Sequence, residues 1–155
     1  MLESRSLQEY LNGRFPLSKA MGVEVLEASV DGVKLAAPLS PNINHNETVF
    51  GGSASAVAIL SAWSLLYLRL INEKIQSSIV IRRSSMNYKR LITDTFTASS
   101  CVPDPSDWFR FLAMFRRKRR AGVRVNSVLH CKNLIVGEFE GDFAAIDVQA
   151  ALRKT

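Results

Sequence analysis

Between Asn42 and Arg69 the chain reads NINHNETVFGGSASAVAILSAWSLLYLR, and its first third gathers the side chains best suited to polar chemistry. Asn44 and Asn46 carry amides able to polarise or orient a bound group, although an Asn in such a place also caps turns and helices. His45 has an ordinary pKa close to neutrality, and Glu47 is the only acid of the turn, so these two are the candidate bases. Thr48 and Phe50 lead into Gly51 and Gly52. Ser53 and Ser55 follow, with hydroxyls that position water or simply let elements pack closely. If the apolar run beyond the glycines is a helix, its first N–H groups have no intrahelical partner and face the polar turn, where they can hold negative charge. No grouping of His, Cys and carboxylates has metal-ligand spacing, so no metal is expected, and no activated Ser or Cys nucleophile stands out. His130 falls in the middle of a predicted strand and reads as structural.

Those candidates need a scaffold, and the scaffold is legible in the pattern of apolar residues. From Val49 through Leu68 there is no charge, Ser and Ala are frequent, and β-branched residues are few, which predicts a buried helix. Ser4 to Arg14 predicts a short helix with Leu7, Tyr10 and Leu11 on one face, and a second short turn covers Leu17 to Met21. Val23–Val30 and Val33–Pro38 flank Asp31-Gly32, which predicts a hairpin with a two-residue type I′ turn. Strands are expected over Gln76–Asn87, with Arg82 and Arg83 at an exposed edge or rim, and over Thr95–Val102. Asp104, Pro105 and Asp107 mark a helix start, Trp108, Phe111, Leu112 and Phe115 form its stripe, and Gly122 is its expected exit. Val123–Cys131 and Leu134–Val148 complete the set, joined by a hairpin turn at Lys132-Asn133, with a frayed tail from Gln149. The sum is an α+β domain: a six-stranded curved antiparallel sheet wrapped around one long central helix, in a single domain over residues 1–155. Edges of such sheets pair across dimer axes, so a homodimer or homotetramer is expected.

Composition agrees with this architecture. Hydrophobic residues at 47% and charged residues at 22% suit an ordinary globule able to bury a core. The apolar run is near the threshold length for a membrane span, but its Ser and Ala content and the lack of a second span or a positively charged flank pattern favour a core helix. Early charges at Glu3, Arg5 and Glu9 argue against a secretion signal, and Cys101 and Cys131 read as reduced thiols, so a cytoplasmic location is expected. The net charge of +6 is local: Arg110 to Lys132 holds eight Lys/Arg and no acid, while the rest of the chain nets −2. The Arg116–Arg120 run, with Lys89 and Arg90, suits phosphates. A nucleic-acid surface is the alternative, but the run lacks interleaved aromatics and any known binding module.

Thr48, Phe50, Gly51, Gly52 and Ser53, with Trp63, Asn87-Tyr88, Asp94, Gly122 and Arg124, carry a resemblance to the hotdog fold of acyl-CoA thioesterases. The chain most resembles the YiiD C-terminal type, a domain fused behind an acetyltransferase in some bacteria; no acetyltransferase motif is visible here. The resemblance implies hydrolysis of an acyl thioester of coenzyme A or an acyl-carrier protein at the N-terminus of the central helix, with no cofactor beyond the coenzyme A of the substrate. By similarity to PaaI-type thioesterases, Asn44 stands seven residues before Gly51 and would orient the thioester or water, while a glycine N–H polarises the carbonyl. Such a donor supplies roughly 3 kcal/mol of transition-state stabilisation. Tyr88, Lys89, Arg90, Arg117 and Arg120 are expected at the substrate. Phe50 and Ile59 replace the His and the helix carboxylate of those enzymes, so a non-catalytic acyl-thioester binder is the alternative.

Overall fold

The computed structural model of the protein describes residues 2–101 and 104–152. Helices α1 (Leu2–Arg14) and α2 (Pro16–Ala20) precede strands β1 (Glu24–Ala28) and β2 (Gly32–Ala37). A short turn at Ser40–Asn42 leads to α3 (Gly51–Asn72), and then come β3 (Ser77–Tyr88), β4 (Phe96–Cys101), α4 (Pro105–Lys118), β5 (Arg120–Cys131), β6 (Leu134–Asp147) and α5 (Val148–Leu152). The strands form one antiparallel sheet in the order β1-β2-β4-β5-β6-β3. It curls around α3, which packs against β2, β3, β4, β5 and β6. This is the expected α+β hotdog architecture.

The composition of α3 explains the close wrap. Ala54, Ala58 and Ala62 are buried, and so are Val57, Leu65 and Leu66. Small residues also let hydroxyls bridge layers. Ser127 donates to the Ala58 carbonyl at 2.9 Å, Ser100 and Ser127 hydroxyls are 2.6 Å apart, and Ser61 reaches both Ser100 at 3.0 Å and the Ala98 carbonyl at 3.1 Å. α3 is long and apolar enough to cross a membrane, with mean hydropathy 1.7, yet 56% of that stretch is buried inside the protein. It is a core helix. Gly141 in β6 lies between Phe139 and Phe143, where a Cβ would stand 2.9 and 2.6 Å from their rings. Tyr10 of α1 stacks on Tyr67 at 4.5 Å and Phe15 meets Trp63 at 4.8 Å, closing the mouth of the curled sheet.

Several local expectations change. Ala28 pairs with Val33, and neither Asp31 nor Gly32 takes a positive φ, so the first hairpin has no two-residue type I′ turn. Instead the Ser29 hydroxyl accepts the N–H groups of Asp31 and Gly32 at 3.1 and 3.3 Å, which organises a longer turn. Lys132 and Asn133 do adopt positive φ (50° and 65°), as a type I′ turn requires. α4 starts where expected, with the Asp104 carboxylate accepting from the Ser106 N–H at 2.8 Å. Its exit is Arg119, left-handed at φ 61°, while Gly122 sits inside β5. Residues 148–152 form α5, capped by the Asp147 carboxylate accepting from the Gln149 N–H at 2.9 Å; this replaces the expected frayed tail as far as it is described. Val102, expected at the end of a strand, and residues 153–155 lie outside the described residues. Both cysteines are free thiols.

Candidate active site

The polar turn ahead of α3 is a closed loop. Ile43 and Val49 form an isolated antiparallel bridge, and the Asn44 N–H donates to the Thr48 carbonyl at 2.8 Å. The Asn44 side chain then fills the loop: Oδ1 accepts from the Asn46 and Thr48 N–H groups at 2.8 and 3.2 Å, and Nδ2 donates to Thr48 Oγ1 at 3.0 Å. Glu47 takes the left-handed φ of 60° that the tight return demands. His45, Asn46 and Glu47 are exposed on the outside of the loop, while Thr48 is buried. Two anchors hold this loop in place. The Val49 N–H donates to the Ile92 carbonyl at 2.8 Å, tying it to the bend after β3. Asn42, 2% exposed, donates through Nδ2 to the carbonyls of Met21 and Pro38 at 2.9 and 2.8 Å, and its own carbonyl takes the Phe50 N–H.

Phe50 is the N-cap of α3, and no side chain caps the helix. The amides of Ser53 and Ala54 bond back to the Phe50 carbonyl at 2.9 and 3.2 Å. Among the described residues the N–H groups of Gly51 and Gly52 have no partner. The positive end of a 22-residue helix dipole is thus concentrated on two bare donors. Tyr88, at the end of β3, donates its hydroxyl to the Gly51 carbonyl at 3.1 Å. The Phe50 ring, 58% exposed, lies so near Gly52 that a Cβ there would come within 2.3 Å of it. Ser53 and Ser55 are half-buried in the first turns of α3.

Of the expected site residues, the fold brings together the loop from Asn44 to Thr48, Phe50, the two glycines, the two serines and Tyr88. Lys89 and Arg90 continue from Tyr88, both with their N–H groups on the Val136 carbonyl. Lys89 is paired with Glu138 at 3.0 Å. Arg117 and Arg120 are not part of this assembly. They flank the end of α4, where Arg116 pairs with Glu73 just beyond the C-terminus of α3 and Arg119 pairs with Asp147. That is the opposite end of a helix roughly 33 Å long. Nothing local in the sequence marks Asn42, because the partner that buries it, the Met21 carbonyl, lies 21 residues away.

A curled antiparallel sheet around a central helix, with uncapped amides beside a polar loop, defines a hotdog protein. Residues 4–147 match the family described as "Putative thioesterase (yiiD_Cterm)", and the chain belongs to that family. Its function is accordingly of the thioesterase type. Among solved structures, a Chlorobaculum tepidum protein of unknown function is 27% identical, with a TM-score of 0.87 over 93% of this chain and 94% of that one. A Shewanella oneidensis protein described as a "putative thioesterase" is 24% identical, with a TM-score of 0.83 over 92% and 96% of the two chains. A Haemophilus influenzae thioesterase is 12% identical, with a TM-score of 0.74 over 94% and 91%. At those identities the last two establish the fold.

Proposed function

We propose that the protein hydrolyses an acyl thioester of coenzyme A or of an acyl-carrier protein at the N-terminus of α3. The observation that carries this reading is the pair of bare amides at Gly51 and Gly52 in a chain of the thioesterase family. The thioester carbonyl oxygen sits on these donors, which strengthen their hold as it becomes an oxyanion. Water attacks the carbonyl carbon, His45 or Glu47 takes its proton, and the C–S bond breaks to leave an acid and a thiol that recovers the proton. Asn44 is a positioning residue, because its side chain is engaged in the loop that presents the two candidate bases. Tyr88 steadies the first turn through the Gly51 carbonyl.

The working unit is a homo-oligomer, at least a dimer, in which β3 supplies the interface. β3 ends the sheet with its outer edge open, and Val80 and Ile81 are exposed on it at 42% and 37%. The experiment is release of free thiol from a panel of acyl-CoA and acyl-carrier-protein thioesters, with His45→Ala and Glu47→Ala alongside. Turnover by the wild type that falls about 10²–10⁴-fold in one of the two variants is expected; no turnover on any thioester overturns it. A second reading, a binder of acyl thioesters without turnover, is favoured by Phe50 and Ile59, apolar where an acid or base would stand. Tight calorimetric binding of acyl-CoA with no thiol release selects that reading.

A further inference from the structure

A cleft of about 860 Å³ opens where the middle of β3 faces α4 and the start of β5. Its apolar lining includes Phe111, Met114 and Phe143, and its polar lining is dominated by four guanidiniums. Two of these are matched: Arg110 pairs with Asp107, and Arg124 with Asp142 at 2.8 Å. The Arg124 hydrogen bond, with Arg83 and Arg82 adding to it, holds the Asp142 carboxyl below the usual carboxylate range, so this pair stays charged and closed at neutral pH. Arg82 and Arg83 make no ion pair among the described residues. A bulge between Ile81 and Arg83 breaks the alternation of β3 and directs both toward the cleft. The cleft therefore joins an apolar floor to surplus positive charge.

We propose that this cleft binds the adenosine 3′-phosphate 5′-diphosphate end of a coenzyme A thioester, with Arg82 and Arg83 on its phosphates. The inference rests on the thioester reading above and adds to it a choice of carrier. The concave apolar floor takes a flat base, and planar guanidiniums grip phosphate oxygens in pairs. Reach agrees with this. Six residues of β3 separate Arg82 from Tyr88 at the α3 tip, about 20 Å. The pantetheine arm, with a backbone equivalent to somewhat more than four residues, spans about 15 Å, and the diphosphate extends it further. An acyl-carrier protein offers one phosphate, no base and a convex acidic surface, which would leave the apolar floor empty.

Calorimetric titration of the full chain with adenosine 3′,5′-bisphosphate tests the cleft without any turnover. Binding by the wild type is expected, and Arg82→Ala/Arg83→Ala, at exposed positions, should weaken it by about tenfold per guanidinium lost, provided thermal melts show the variant folded. In turnover, kcat/KM for acyl-CoA should fall in that variant relative to kcat/KM for the matching acyl-N-acetylcysteamine thioester, which lacks the nucleotide. Wild type that ignores the bisphosphate, a variant that binds it equally, or a variant that loses only carrier-protein binding overturns the proposal. Loss of bisphosphate binding in the variant, together with no hydrolysis of any thioester by the wild type, would instead sink the hydrolase reading and leave the nucleotide site standing.

Discussion

Asn44 carries two readings from sequence, orienting the thioester or water by resemblance and capping the turn by residue type. In the structure its side chain closes the loop that carries His45 and Glu47. Asn44→Ala removes both the acceptor and the donor, so loop and tip lose their register. A misplacement of about 1 Å costs on the order of 10²-fold in rate. We expect kcat for thioester hydrolysis to fall by about that factor, with a lowered Tm, whereas Asn44→Asp keeps the two N–H contacts on Oδ1 and retains more of both. Wild-type kcat and Tm in Asn44→Ala would remove the residue from the account. A second prediction concerns Gly52, where an added Cβ meets the Phe50 ring at 2.3 Å. Alanine is the better helix former by about 0.5–1 kcal/mol, but it must first displace the ring. Gly52→Ala should therefore be about 0.5 kcal/mol more favourable in a Phe50→Ala background than in the wild type. Urea denaturation of the four proteins measures that coupling, and additive effects would contradict the contact.

Elements were legible from sequence where one residue type dictates geometry, and illegible where a neighbour substitutes for it. Lys132-Asn133 turns as expected because both residues tolerate a left-handed backbone, while Asp31-Gly32 does not because the Ser29 hydroxyl captures their amides. The α4 cap was equally readable: Asp104, then Pro105, then an acid near the positive end of the dipole. Hydrogen bonds from Ser106 hold the Asp104 carboxyl below its usual range. Because the folded-state pKa is the lower one, the stabilisation is fully present above the ordinary carboxylate pKa of about 4 and is lost as pH falls through the folded value. Asp104→Ala should thus lower Tm by a few degrees between pH 5 and 7, with the gap to wild type closing below about pH 4. A gap that persisted at low pH would mean the cap acts by something other than its charge. The hydroxyl chain Ser61–Ser100–Ser127 could not be foreseen, since it joins α3, β4 and β5 only once they are packed. Ser100→Val puts methyl groups into that 1%-exposed site and should cost about 1–3 kcal/mol by urea denaturation.

At the scale of the whole molecule, the two edges of the sheet are treated differently. β1 is short, bulged between Val25 and Glu27, and covered by α1: Gln8 takes the Val25 N–H at 2.7 Å and gives its own amide to the Val23 carbonyl at 3.0 Å. That glutamine imitates a neighbouring strand and leaves little to pair with. β3 runs 12 residues, and the Ile79 carbonyl on it accepts from Trp63 Nε1 of α3 at 3.3 Å. A long edge with exposed Val80 and Ile81 either pairs or aggregates. The same edge passes the cleft at its middle, at Arg82 and Arg83, and ends at Tyr88 on the α3 tip, so pairing it antiparallel with a second copy would enclose the proposed site between two protomers. Lysine on an edge blocks such pairing without disturbing the inner ladder to β6. Val80→Lys/Ile81→Lys should therefore remain folded by circular dichroism, sediment as a monomer where the wild type sediments as a dimer or larger assembly, and lose thioester hydrolysis with the enclosure. A variant that sediments like the wild type would place the interface elsewhere, and a monomeric variant with full activity would show that one protomer suffices for the chemistry.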